Sequence, residues 1–303
     1  MITESLLNFC DAIQSTAASQ IIQDIKWIVA VVQTRQEIVV ITDASIYSLQ
    51  YLGPPYVWQS QLLGDNISIV GQNAAIIASG IVYWMGVDKF YSYDGRVQTL
   101  NCDLRRYVFS DFNQAQSAQV FAGTNEGFNE VWWFYCSANS TTIDRYVVYN
   151  YLEKVWYYGT MARTAWLDSG LRDYPQAATY SYNIVNHEQG LNNNETGTTA
   201  AINAYIGSSE FDIGDGHNFG FVWRILPDVN FNGSTVNQPS VTMTIRPRQN
   251  SGTPYGTADN PQVQSAQNYT KVPEYTVQQF DGQVYTRLRG RQLAFRIEST
   301  GLG

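Results

Sequence analysis

Residues that usually carry catalysis are scarce in this chain. Its 303 residues include two histidines, His187 and His217, and three cysteines, Cys10, Cys102 and Cys136. No HExxH, GxSxG, P-loop or GxGxxG pattern occurs, which removes the motif-borne metalloprotease, nucleophile-elbow and phosphate-cradling chemistries. Zinc ligation or a catalytic triad would need further ligands or a nucleophile around the histidines, and none stands in a recognisable setting. The cysteines are odd in number, widely spaced and without a CxxC. They read as reduced, mostly buried thiols and not as a disulfide frame. Charge is thin as well. Charged residues make up 15% of the chain, and 26 acids against 18 Lys and Arg leave a net charge of −8. The charge argues against a bulk nucleic-acid binder, because gripping phosphates takes Lys and Arg. A conduit along which DNA slides is compatible with that deficit. The apolar runs at 25–32 and 76–87 are too short to span a bilayer and read as buried strands. The opening Met1-Ile-Thr-Glu-Ser lacks the basic region of a signal peptide. The expectation is therefore no membrane span, no metal and no cofactor.

Aromatic residues, by contrast, are abundant: 21 Tyr, 13 Phe and 8 Trp. They fall in a recurring strand pattern. Ile46-Tyr47-Ser48-Leu49 is echoed by Phe90-Tyr91-Ser92-Tyr93 and again by Arg145-Tyr146-Val147-Val148-Tyr149-Asn150. Repeats of about 40–50 residues, each holding several strands, mark β-propeller blades. Asp94-Gly95 is the strongest hairpin signal and predicts a type I′ turn. Residues 103–118 are the best helix candidate, with Asp103 as cap and Leu104, Val108 and Phe112 at helical spacing. The Gly/Asn/Thr-rich stretch at 190–199 is the best boundary. Beyond it the strands and loops lengthen, which suits a sandwich better than blades. The expected fold is all-β, with β-propeller-like blades over residues 1–190 and a β-sandwich-like domain over 191–303.

Three constellations invite a chemical reading. Asp212, Asp215 and Asn218 only loosely resemble a calcium loop, lacking its ligand spacing and distant Glu, and read as a turn. Asp88 and Asp94 flank a Tyr-rich strand as a glycosidase pair would, but both sit at hairpin turns, where Asp is a standard residue. The run from Tyr285 to Ile297 is more informative. A period of two puts Arg287, Arg289 and Arg291 on one face, with the same parity as Leu293, Phe295 and Ile297. Either Gly290 marks a bulge that flips the register, or the arginine end projects beyond the core. The row is an arginine ladder for an acidic partner subunit or for passing phosphates, or else a solvated strand end.

Thr34-Arg35-Gln36-Glu37-Ile38-Val39-Val40 running into Ser45–Tyr51 resembles the tail nozzle (hub) proteins of short-tailed bacteriophages. So do Tyr83-Trp84-Met85-Gly86 with Phe90–Gly95, and Arg145–Tyr151 with Trp156-Tyr157-Tyr158-Gly159 and Arg163-Thr164-Ala165-Trp166. Pro227-Asp228-Val229 and Arg289-Gly290-Arg291-Gln292 complete the match, which runs from about residue 18 to 299. The resemblance implies a structural virion protein in a phage tail. It would be a propeller-like subunit of a homo-oligomeric ring, six copies below the portal and adaptor. That ring would line the DNA exit channel and help retain packaged DNA until ejection. Trp84, Asp94, Gly95, Trp132, Trp156 and Trp166 are the expected blade anchors. Members of that family carry a long segment before the stretch matching 18–51, whereas Met1 lies close to it here. Residues 1–190 hold roughly four blade-like units where closure takes about 4–8. A second chain supplying the missing blades is therefore also expected. The alternative is a glycan-binding propeller, which would place stacking aromatics in loops; most here fall in strand-like runs.

Overall fold

The computed structural model describes residues 27–53, 58–212, 214–258 and 269–303. The arm expected over 1–24, Cys10 and the Pro54-Pro55 break lie outside them. The chain is all-β and divides into two compact units, Met1–Gln189 and Gly190–Gly303.

In the first unit, strands follow one another as antiparallel meanders. One sheet is β1 (Ile28–Gln33), β2 (Glu37–Thr42), β3 (Ser45–Tyr51) and β4 (Trp58–Asp65). The next is β5 (Ala75–Ala78), β6 (Ile81–Met85), β7 (Phe90–Tyr93) and β8 (Val97–Leu100). A third is β9 (Phe121–Asn125), β10 (Glu130–Tyr135), β11 (Arg145–Asn150) and β12 (Val155–Thr160). A smaller three-stranded sheet follows, β13 (Ala165–Leu167), β14 (Gln176–Ala178) and β15 (Ile184–Asn186). The first strands touch in chain order, β1 on β5, β5 on β9 and β9 on β13.

Local chemistry explains the connections and corrects some expectations. The positive-φ pair of a type I′ turn is Ser79 (50°) and Gly80 (82°), between paired Ala78 and Ile81. At Asp94-Gly95 only the glycine has positive φ, at 104°. Tyr93 pairs with Val97, so that loop has three residues and not the expected two. The Asp94 carboxylate accepts the Arg96 N–H at 3.4 Å, the local bond that favours Asp in turns. The helix expected over 103–118 is shorter: α1 spans Arg105–Asp111, and a separate 3-10 turn spans Gln114–Gln119. Leu104, not Asp103, holds the N-cap position, without a side-chain bond. Residues 67–70 are irregular, although Ile67, Ile69 and Val70 are buried. None of the residues of strand β4 is buried.

All six residues of β10 are buried. Alternate side chains enter different cores, as period-two geometry requires. Val131, Trp133 and Tyr135 join a cluster with Ile41, Val82 and Phe90. Trp132 and Phe134 join Cys136, Ile143 and Val148, against which Trp166 packs. A continuous apolar strand is the mark of burial on both faces.

The second unit holds β16 (Ala204–Gly207), β17 (Phe211–Asp212), β18 (Gly220–Ile225), β19 (Ser240–Arg248), β20 (Thr257–Ala258), β21 (Tyr269–Lys271), β22 (Glu274–Gln278), β23 (Val284–Gly290) and β24 (Gln292–Ser299). The main sheet runs β16-β24-β19-β22, with β17 also on β24. Strands β18 and β23 pair as a ribbon, as do β20 and β21. Val284 and Leu288 of β23 are buried against Met243, Ile245, Val277 and Leu293, with Val222 packed beside them.

This layout corrects the single arginine row. The run from Tyr285 to Ile297 is two strands in two sheets, broken at Arg291. The Arg291 N–H donates to the Arg248 carbonyl at 2.9 Å. A Cβ on Gly290 would lie 3.0 Å from the Gln292 carbonyl and 3.2 Å from Pro247 Cβ, so glycine suits the crossing. Residues 287 and 289 thus need not share a face with 293–297.

Candidate functional site

The outward face of the β18–β23 ribbon concentrates aromatic and cationic side chains. In β23 exposure alternates strictly: Tyr285, Arg287 and Arg289 face out, while Val284, Thr286 and Leu288 face in. Across the ribbon Phe221 stands opposite Arg289. The register shifts between Val222 and Arg224, placing Trp223 at the irregularity. Phe221, Trp223 and Tyr285 are 61%, 54% and 63% exposed. Together with Tyr275, Thr286 and Arg287 they line an open groove of about 470 Å³.

Two cations rest on aromatic faces of this ribbon. The Arg289 guanidinium lies 5.0 Å from the Phe219 ring centre, and that of Arg224 lies 4.7 Å from Trp223. Exposed contacts of this kind contribute about 0.5–1 kcal/mol and leave the guanidinium edge free to donate. Neither strand contains an Asp or Glu. Among the described residues, neither the Arg287 nor the Arg289 side chain makes a hydrogen bond or ion pair. Arg291 is excluded from this face: it is half-buried at the strand break, and its Nε is a buried donor without a bond among the described residues.

The expected blade anchors separate into two kinds. Asp94 and Gly95 are exposed and shape a hairpin loop. The tryptophans sit in the packing. Trp84 stacks on Tyr91 at 5.3 Å and Trp132 on Trp166 at 5.2 Å. Indole N–H groups also reach between sheets. Trp156 Nε1 donates to the Asn101 carbonyl at 2.8 Å, and Trp166 Nε1 to the Thr124 carbonyl at 2.7 Å. Trp133, which sequence reasoning passed over, donates to the Ala74 carbonyl at 3.1 Å. Only its place in the unbroken apolar run of β10 hinted at this. Between the first two sheets the tie is carboxylate-based: the Tyr93 hydroxyl and the Ser48 hydroxyl both donate to Glu37. Burial would raise the Glu37 carboxyl, but the bonds from Ser48, Tyr93 and Gln50 outweigh it and hold it below its ordinary value.

The other polar groups are engaged structurally. Glu130 is buried and accepts from Trp132 Nε1 at 2.9 Å, from Asn125 at 3.4 Å and from the Tyr157 hydroxyl. Burial raises its carboxyl. His187 accepts the Arg163 Nε–H on its Nε2 at 3.0 Å. Burial and the Arg163 charge push its imidazole down to about 4. Asp88 pairs with Arg105 at 2.9 Å, and Asp215 accepts the His217 N–H at 3.1 Å. Asp212 accepts from Gln292 at 3.1 Å. Cys102 and Cys136 are free thiols, the former pushed up to about 12 by burial. Among the described residues, no three His, Cys, Asp or Glu side chains converge as a metal set, and no helix is long and apolar enough to cross a membrane. No family model and no curated protein matches the chain.

Proposed function

We propose that the chain is a structural subunit of a short-tailed phage tail, part of the nozzle or hub ring that lines the DNA exit channel and helps retain packaged DNA. In this reading the first unit is propeller-like, its four sheets acting as blades, and the second is sandwich-like. The observation that carries it is the succession of antiparallel meanders whose first strands touch in chain order. That is how blades sit around an axis. The residues behind the nozzle resemblance build these meanders: Glu37–Val40 in β2, Tyr83-Trp84 in β6, Phe90–Tyr93 in β7 and Arg145–Tyr149 in β11. A net charge of −8 suits a wall past which DNA slides. Such a ring would hold six copies and meet portal, adaptor and other tail proteins. Electron microscopy of particles bearing a labelled copy tests the reading. A ring of label on the tail axis is expected, and a position elsewhere in the particle overturns it.

A glycan-binding module is the second reading, favoured by the open faces of Phe221, Trp223 and Tyr285. Glycan-array binding lost on Trp223→Ala would support it over the first.

A further inference from the structure

We propose that the aromatic and arginine face of the β18–β23 ribbon docks on an acidic, apolar patch at the hairpin ends of the third sheet in a second copy of this chain. The proposal rests on the ring reading above and names the surfaces through which neighbouring copies meet.

Charge is divided unevenly along the sequence. Residues 1–189 hold 17 Asp and Glu against 10 Lys and Arg, whereas residues 190–303 hold 9 against 8. The acid excess thus lies in the first unit, while the ribbon carries Arg224, Arg287 and Arg289 with no acid in either strand. Arg224 also donates to Gln283 at 3.4 Å, whereas Arg287 and Arg289 have no anionic partner among the described residues; beside exposed aromatics they suit an anionic and apolar counterpart.

The first unit has such a patch. The β9–β10 and β11–β12 connections lie side by side: Asn150 Nδ2 donates to the Phe128 carbonyl at 3.0 Å, and the Tyr151 N–H to the Asn129 carbonyl at 3.0 Å. Asp168 joins them by accepting the Glu126 N–H at 3.0 Å. These bonds fix Phe128 and Leu152, 53% and 66% exposed, next to exposed Glu126 and Glu153. Lys154 is the one cation in these connections, set against Glu126, Glu153 and Asp168. Apolar groups at the centre would supply affinity, and the carboxylates would select the orientation. Donor and acceptor patches differ, so the contact is head-to-tail, the kind that generates rings when the rotation closes. A nucleic-acid strand would also meet arginines and aromatics, but the chain's overall acidity opposes it.

Sedimentation of the 303-residue chain tests the contact. Wild type should self-associate, with at least tenfold weakening by high salt or by Arg287→Glu with Arg289→Glu. Adding Glu126→Arg and Glu153→Arg to that variant should restore assembly. Circular dichroism should match wild type throughout, and the melting temperature should shift by no more than a few degrees, as losing the Arg289–Phe219 contact would cause. A wild type that stays monomeric at all concentrations overturns the contact. So does unchanged assembly of the Glu variant, failure of the charge swap to rescue, or an altered melting profile that accounts for the loss. Oligonucleotide binding lost in the Glu variant with assembly intact would assign the face to nucleic acid and also overturn it. A ring on the tail axis built from the Glu variant would sink the contact and spare the tail function. Assembly through this contact by a protein absent from the tail axis would do the reverse.

Discussion

Gly123 lies beneath the Trp166 indole. A Cβ there would meet Trp166 Cδ1 at 2.6 Å and Cγ at 2.8 Å, and Trp166 is held by stacking on Trp132 and by its bond to Thr124. The ring has little room to yield. Gly123→Ala is therefore expected to cost about 1–3 kcal/mol, as overpacking does, and to lower the melting temperature by several degrees. An unchanged melting temperature would mean that the ring moves freely. His187 offers a second test at this scale. Its imidazole is pushed down to about 4 by burial and by Arg163, from an ordinary 6.5. The unfolded chain takes up the proton first, so the stability contributed by the neutral ring is whole above about 6.5. It falls as pH drops toward 4 and levels off below. Glu130, raised by burial, gives the opposite slope: its contribution falls as pH climbs above its ordinary 4.5. Comparison with His187→Gln, which keeps an acceptor but does not titrate, separates the two. The melting temperature of wild type should fall more steeply than that of the variant between pH 6.5 and 4. Parallel curves would refute the assignment.

At the scale of elements, the sheets of the first unit are joined by apolar packing and by a polar tie at each junction. Tyr93 reaches Glu37 between the first and second sheets. Trp133 and Trp156 reach Ala74 and Asn101 between the second and third. Trp166 reaches Thr124 between the third and fourth. A buried bond contributes about 1 kcal/mol net, but leaving a partner unsatisfied costs about 1–3. Tyr93→Phe should therefore destabilise by about 1–2 kcal/mol and raise the Glu37 carboxyl toward its ordinary value. Chemical denaturation and a carboxyl titration by NMR would measure both. The Ser79-Gly80 turn is the other element-level test. Gly80→Ala forces a side chain to φ 82° and should cost about 1 kcal/mol without altering contacts, since open space surrounds that position.

At the scale of the whole molecule, three polar groups of the kind that act on substrates are engaged within the fold. Glu130 is covered by three donors, Asp88 is ion-paired and His187 receives the Arg163 bond. We expect no glycan or nucleotide turnover by the full chain. Reproducible hydrolysis abolished by a single carboxylate substitution, such as Glu130→Gln with the fold intact, would refute this. The exposed aromatics and free guanidinium groups point instead toward surfaces that meet other macromolecules.

Sequence alone determined the all-β class and most strand positions of the first unit, because alternation, β-branched residues and turn residues act over a few neighbours. It also placed Arg287 and Arg289 at alternate positions of one strand. Tertiary structure decided what those positions face. The parity conflict between the arginines and Leu293, Phe295 and Ile297 had no local solution. It disappears because the chain leaves one sheet at Gly290 and enters another at Gln292. The two-sided burial of β10, the bond from Trp133 to Ala74 and the glycine beneath Trp166 were equally hidden. Each joins residues far apart in the chain, and such pairings are set by how sheets pack, which no short window of sequence contains.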